Sequence, residues 1–409
     1  MPMDAATRKR DLRDSMPLWA STPSISVITS KSCASRTYDV IIVGAGISGA
    51  LAAEALADGK RSILVIDRRK PVTGSTMAST AMIQHEIDTP LSDLSRMIGE
   101  EPAARAWRRS AASVKALGRK VEALELACSY REKQTLYLAG EGGGARKLSA
   151  EFRARQAAGL EARYLDGAEV ASAYGLDREA GLLSQASASC NPAQLTAGLL
   201  RAARERGTEI VEGVEITDLG EFGDRVVLAT SSGSLLEAGH VVFCTGYEFL
   251  ESVAQKSHSI ASTWAIATPP MATLPKWLAD ALVWEAADPY LYFRMTRDGR
   301  LIAGGEDEND PDAYHSAAKM KSKPKRIVKK ISGLLGVKLP EPDFAWSAGF
   351  GVTPTGLPYI DRVPGMSRAF AVMGFGGNGI TFSQIASEII KAEVNGKSDA
   401  DADLFRFPA

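Results

Sequence analysis

The chain of 409 residues is poor in several things, and each shortage removes a class of explanation. Its four cysteines, Cys33, Cys128, Cys190 and Cys244, lie far apart. No metal knuckle or redox CxxC pair can be built from them, no metal site is expected, and a reducing cytoplasm is the expected compartment. Long apolar runs are missing as well. The longest uncharged stretch, Val40 to Ala53, carries three glycines and is too short to cross a bilayer, so no integral membrane segment is expected. Surplus charge of one sign is missing: 48 basic residues stand against 49 acidic ones, which argues against a nucleic-acid or anionic-membrane partner. No internal repeat or low-complexity domain is visible. Residues 1–37 mix charges ("TRKRDLRD") and lack the apolar core of a signal peptide. They are expected to form an N-terminal arm, packed on the surface or partly disordered. What remains is 45% hydrophobic and 24% charged, the make-up of a soluble globular protein of two or three domains with a large core.

The most informative stretch is "YDVIIVGAGISGALAAEAL", Tyr38 to Leu56. Asp39 to Val43 is a short continuous apolar run, as in a parallel strand buried on both faces. Gly44-Ala45-Gly46-Ile47-Ser48-Gly49 follows, then a helical pattern, and "RSILVID" gives a second strand closing at Asp67. In such a unit the first glycine allows a tight turn and the second lets backbone approach a pyrophosphate. The third lets the helix lie close on the strand. The helix N-terminus offers free N–H groups and a positive dipole end to phosphate. Asp67 stands eighteen residues past Gly49, where a carboxylate accepts hydrogen bonds from ribose hydroxyls. Arg68 and Arg69 follow, and are expected to face solvent or lie along an adenine rather than select a 2′-phosphate. A glycine-rich turn without a ligand is the bland alternative; strand, helix, second strand and acid in order favour a dinucleotide. NAD and FAD both remain open at this point.

Three further pieces bear on that choice. "GSTMASTAMIQHEIDTP", Gly74 to Pro90, places small hydroxyl residues directly after the acid strand, where they let backbone pass close to a flat ring and donate short hydrogen bonds. An ordinary Ser/Thr-rich loop is the alternative. "HVVFCTGYEF" reads as a strand followed by Thr245-Gly246, after a hairpin-like stretch. "RAFAVMGFGGNGITFSQIASEII" reads as a strand, a glycine-rich loop and an amphipathic helix. The positive end of that helix would stabilise the negative charge of a reduced flavin, which a nicotinamide enzyme has no need of.

The four pieces, in this order, resemble the FAD-dependent oxidoreductases of the D-amino-acid oxidase, glycine oxidase and sarcosine oxidase superfamily. The likeness runs from about Tyr38 to the last helix. It is specific at GAGISG, the Ser/Thr loop, the Thr-Gly turn and "TPTGLPYI…GFGGNGIT". It implies an α/β (α+β two-domain) fold. A Rossmann-like FAD-binding domain would comprise residues 38–90, 186–250 and 345–409, and a discontinuous mixed-sheet substrate domain residues 91–185 and 251–344. The FAD contacts it implies, besides Gly44 to Gly49 and Asp67 to Arg69, are Ser75, Thr76, Ser79, Thr80, Ala81, Val214, Cys244, Thr245, Gly246, Gly376, Gly377, Asn378, Gly379, Ile380 and Thr381.

The chemistry implied is hydride transfer to flavin N5 from a carbon next to nitrogen or oxygen, with the protein orienting the substrate and setting its protonation. Candidates for the catalytic end are Gln84, His85 and Glu86, although a lone histidine is usually structural and Glu86 could equally cap a turn. Tyr290, Tyr292 and Arg294 alternate on one strand and so share a face, which looks either at the flavin or into an ordinary sheet. Trp346 is a candidate pocket wall. Three departures from relatives matter. Phe350 stands where amino-acid-oxidising relatives place an arginine for the substrate carboxylate, leaving Arg294 as its replacement or an amine without a carboxylate as substrate. No cysteine follows Cys244, so FAD is expected to be noncovalent. "RLIAGG" lacks the lysine that assists oxygen, leaving O2 or a respiratory or protein acceptor open. The leading expectation is oxidation of a small amine or amino acid to an imine that water hydrolyses. The alternatives are 2-hydroxy acid oxidation on the same fold, and a flavin-binding subunit of an electron-transfer complex without its own substrate.

Overall fold

The computed structural model describes residues 7, 9–140, 144–248 and 258–408. Two sheets organise them. The smaller, of eight strands, runs in the order Tyr359–Arg362, Ala369–Met373, Leu235–Phe243, Thr37–Val43, Ile63–Asp67, Glu209–Glu212. Its pairings from Ala369–Met373 to Glu209–Glu212 are all parallel. This is why the Val40–Val43 part of Thr37–Val43 reads as unbroken apolar sequence: successive side chains leave on opposite faces and both faces are covered. Val40 and Ile42 pack against the helices Ile47–Leu56, Pro192–Glu205 and Gly379–Val394. Ile41 and Val43 pack with the hairpin of Ile216–Phe222 and Arg225–Thr230. Each such fully buried aliphatic contributes about 1.5–3 kcal/mol through lost contact with water.

The larger sheet has ten strands. Its order is Arg13–Asp14, Phe344–Val352, Ser259–Ala267, Leu301–Glu308, Leu291–Met295, Ala281–Ala286, Arg131–Ala139, Ala180–Ser189, Met82–Ile83, with Ala162–Asp166 also on Ala180–Ser189. One face is covered by the helix Ala317–Leu335, whose Ile327, Ile331 and Leu335 meet Trp264, Phe293 and Leu301. The basic residues of that helix, expected on a solvated face, do more than meet water. Lys323, Arg326 and Lys330 pair with Glu306, and Lys319 and Lys323 with Glu308. The opposite face of the sheet looks toward the smaller sheet.

Several segments lie elsewhere than the sequence pattern suggests. Met82–Ile83 and residues 186–189, grouped above with the nucleotide half, belong to the larger sheet. Residues 345–352, grouped above with the nucleotide half, form a strand of the larger sheet antiparallel to Ser259–Ala267. The chain returns to the smaller sheet only at Tyr359–Arg362. The boundary expected between residues 250 and 251 lies outside the described residues. The N-terminal arm is built into the fold: Arg13–Asp14 is an edge strand on Phe344–Val352, Leu18 and Trp19 are buried, and Ser30 bridges Val211. Among the described residues no helix is long and apolar enough to cross a membrane.

Candidate active site

A cavity of about 970 Å3 runs between the two sheets, along the carboxyl ends of the parallel strands. In open parallel sheets this is where ligands bind. At one end lie Gly44, Gly46, Ile47 and Ser48. Gly44 has φ of +113°, and a Cβ there would sit 2.3 Å from the Cys244 carbonyl oxygen; one on Gly49 would sit 1.8 Å from that of Gly44. Side chains at either position are excluded, which is the close packing the fingerprint requires. Ala45 and Gly49 stand behind the lining and shape the turn. The Ala45 N–H donates to Asp67 Oδ2 (2.7 Å), and the Arg69 N–H to Asp67 Oδ1 (2.7 Å). Each carboxylate oxygen keeps a lone pair for a further donor from the cavity. Desolvation raises the Asp67 pKa, and these hydrogen bonds oppose the rise.

Arg68 and Arg69 both close on Glu248, which is buried. The Arg10 N–H also donates to Glu248 (2.9 Å), and Arg69 Nη2 donates to the Arg10 carbonyl (3.0 Å). The two arginines thus hold the arm over the GAGISG end of the cavity, whose lining includes Thr7 and Leu12. Val214, Cys244, Thr245 and Gly246 line the same end.

The Ser/Thr loop crosses the middle of the cavity. The Ile47 N–H at the helix start donates to Thr76 Oγ1 (3.0 Å). Ser75 lines the cavity with its Oγ shielded and without a partner, a donor that a phosphate or ribityl oxygen would satisfy. Three successive carbonyls of the loop are held from behind by buried donors: Ala78 by Trp346 Nε1 (2.8 Å), Ser79 by Trp19 Nε1 (2.6 Å) and Thr80 by Arg294 Nε (2.7 Å). Ser79, Thr80 and Ala81 are left lining the cavity.

This pattern corrects two expectations. Trp346 is buried beneath the loop and lines no part of the cavity. Arg294 shares the face of Tyr292, as the strand period requires, yet the loop and Trp19 cover that face at its position. Its guanidinium donates to the carbonyls of Thr80 and Cys190 (3.1 Å), and burial lowers its pKa to about 10. It does not open into the cavity.

The tail loop is stitched to residues 84–88. Thr381 Oγ1 donates to the Gln84 carbonyl (2.8 Å), Asn378 Nδ2 to the Glu86 carbonyl, and the Gly377 N–H to Asp88 Oδ2 (2.7 Å). Gly376, Gly377, Asn378, Gly379 and Ile380 line the cavity, while Thr381 acts from behind. The start of the helix Gly379–Val394 is thereby presented to the cavity, as the sequence suggests.

Beyond the tail loop, Gln84, Glu86, Asp88, Tyr290, Tyr292, Phe350 and Asp307 line the far end. Gly304 leaves room for the Tyr292 ring, whose hydroxyl would lie 2.3 Å from a Cβ there. His85 is a further correction. It is buried behind the cavity, edge-on to Trp107, and burial depresses its pKa. Glu86 is committed to Arg155 (3.3 Å), which also pairs with Glu151 (2.8 Å) and lies 4.7 Å from the Trp107 ring centroid.

Asp88, Asp307 and Tyr247 are lining residues that the sequence reading misses. Asp307 sits in an acidic run, "EDEND", that looks like surface. A bulge changes its aim. Ser262 pairs with Glu308 and Trp264 with Gly305, so one extra residue stands opposite Thr263, and Glu306 takes φ of 58°. Lys323 Nζ secures the bulge by donating to the Glu306 carbonyl (2.6 Å). Both Asp307 oxygens are shielded and lack a well-formed hydrogen bond. Desolvation, opposed by the neighbouring Thr263 and Tyr290 hydroxyls, pushes the carboxyl up to about 6. Among the described residues no cluster could hold a metal ion.

Known proteins share this architecture. The chain is 21% identical over 377 residues to the probable oxidoreductase OrdL of Haemophilus influenzae, covering 88% of this chain and 84% of that protein. The fold matches glycine oxidase from Geobacillus kaustophilus with a TM-score of 0.73 at 20% identity, covering 90% of this chain and 96% of that one. It matches L-proline dehydrogenase from P. horikoshii with a TM-score of 0.73 at 18% identity, covering 93% and 97%. Residues 39–392 match the family described as FAD dependent oxidoreductase (DAO), and the chain therefore belongs to that family of flavin enzymes.

Proposed function

We propose that the chain binds FAD noncovalently and oxidises the C–N bond of a small amine or amino acid, giving an imine that water hydrolyses. The observation that carries this reading is the continuity of one cavity, from the GAGISG turn past the Ser/Thr and tail loops to the aromatic end at Tyr290 and Tyr292. Gly44, Gly46 and the following helix start would hold the pyrophosphate, Asp67 the ribose, and the tail loop the flavin's pyrimidine side. The flavin supplies the two-electron acceptor. The chain's own residues orient the substrate, exclude water and manage its proton; the electrons then pass to oxygen or to a respiratory or protein acceptor. Relatives named for glycine and L-proline support a C–N substrate.

Two observations support noncovalent attachment and an amine over a 2-hydroxy acid. Cys244 is the lining cysteine, but it sits beside Gly44 at the dinucleotide end, and burial pushes its thiol up to about 12. A 2-hydroxy acid always carries a carboxylate, and with Phe350 lining the cavity and Arg294 turned to the loop, no buried guanidinium among the described residues opens toward it. The test is anaerobic bleaching of the bound flavin across a substrate panel. Bleaching by amines or amino acids and not by 2-hydroxy acids is expected; the reverse overturns the reading. A flavin that nothing bleaches favours an electron-transfer subunit.

A further inference from the structure

The residues around the substrate end carry a consistent charge. Outside the dinucleotide end, seven acidic side chains line the cavity and only two basic ones, Arg96 and Lys147. Both of these are exposed, and Arg96 is already paired with Asp93. Among the described residues, the inner part of the cavity therefore offers a substrate no free cation. Its acids differ in how they are used. Glu86 is neutralised by Arg155, while Asp88 projects openly into the cavity with one oxygen held by the Gly377 N–H. Asp88 shares the lining of this cavity with Tyr247, Tyr290, Tyr292 and Asp307. The rings of Tyr290 and Tyr292 lie 5.9 Å apart between centroids. Their neighbour Asp307 is the unpaired acid that the bulge aims inward.

An open carboxylate in a cavity that is also lined by tyrosines, and by a second carboxylate without an ion-pair partner, is a receptor for an organic ammonium ion. We propose that the site takes a cationic amine lacking a carboxylate, with Asp88 pairing to the ammonium at the cavity end that Tyr290 and Tyr292 line. An amino acid would bring its own carboxylate toward Asp88 and Asp307 without a guanidinium to receive it, and is discriminated against on that ground. This inference rests on the C–N reading above and narrows it.

The test uses the FAD-loaded protein and two probes that report binding without turnover, tetramethylammonium and acetate, read by perturbation of the flavin absorbance. Asp88→Asn is the informative variant, because the amide oxygen still accepts the Gly377 N–H while the charge is lost. Saturable perturbation by tetramethylammonium and not by acetate is expected, with affinity lowered about tenfold or more in Asp88→Asn at unchanged FAD content. Equal affinity of the variant for the cation, or binding of acetate in place of the cation, overturns the proposal. Anaerobic bleaching separates the two levels. Bleaching by amino acids but not by simple amines sinks the cationic site and leaves C–N oxidation standing. Bleaching by 2-hydroxy acids alone sinks both.

Discussion

Arg294 shows how far a single residue can be read from its neighbours. The strand period puts it in phase with Tyr290 and Tyr292, and the structure keeps that phase for Tyr292, while Tyr290 precedes the strand. What the period cannot show is that a distant loop and an N-terminal tryptophan cover the sheet at that point. The result is a positioning residue rather than a substrate ligand. Arg294→Ala should lower stability by on the order of 3 kcal/mol, through loss of charged hydrogen bonds to Thr80 and Cys190, and should weaken FAD binding with every substrate alike. Thermal unfolding and FAD titration check this; a defect confined to carboxylate substrates would restore the ligand role. The position of Asp67 beside the glycine turn was legible because its spacing from Gly49 is fixed by the strand–helix–strand unit. Asp67→Ala should weaken FAD retention by about 1.5–3 kcal/mol, measured by FAD titration; unchanged affinity would misplace the ribose. Asp307 was hidden by its bulge. Its folded pKa, about 6, lies above the usual carboxylate value, so the folded state holds that proton more tightly than the unfolded chain. Stability from this group is present at low pH and lost as pH rises toward and through about 6. Asp307→Asn should therefore raise the Tm of the FAD-free protein at about pH 8, and raise it less at about pH 5. An equal change at both would deny the shift.

At the scale of elements, the fingerprint unit was readable because each of its parts answers to local sequence: an apolar strand, three glycines, a helix and an acid. The arm was not, since nothing within residues 1–37 reveals that Trp19 finds a carbonyl at Ser79 or that Arg13–Asp14 finds a free strand edge. Residues 345–352 were grouped with the other sheet for the same reason. Their partner, Ser259–Ala267, lies far away in sequence, and a strand's own pattern does not name its neighbour. The arm's contacts give it a task. Arg10 bridges Glu248 and Arg69, and Leu12 lines the cavity, so the segment closes the dinucleotide groove from outside. Removing residues up to Ser21 should speed FAD dissociation at least about tenfold while the smaller sheet stays folded, measured by fluorescence of released FAD alongside circular dichroism. FAD release at the full-length rate would reduce the arm to packing.

At the scale of the molecule, function depends on bringing the carboxyl ends of one sheet against a face of the other. The smaller sheet supplies the end with the GAGISG turn and the larger an acidic, aromatic wall; neither encloses the cavity alone. The turn and strands of the first half were legible as motifs; of the wall, Tyr290 and Tyr292 were named from strand alternation, and Asp88 and Asp307 were not, because the wall is assembled from strands with no signature of their own. The most direct measurement is one anaerobic turnover of the purified yellow protein with a simple amine, followed by acid precipitation and product analysis. The expected result is about one equivalent each of aldehyde and ammonia per flavin reduced, with all the FAD in the supernatant. Flavin left on the precipitate would contradict noncovalent binding, and a flavin that stays oxidised with amines and amino acids while a 2-hydroxy acid bleaches it would contradict C–N oxidation.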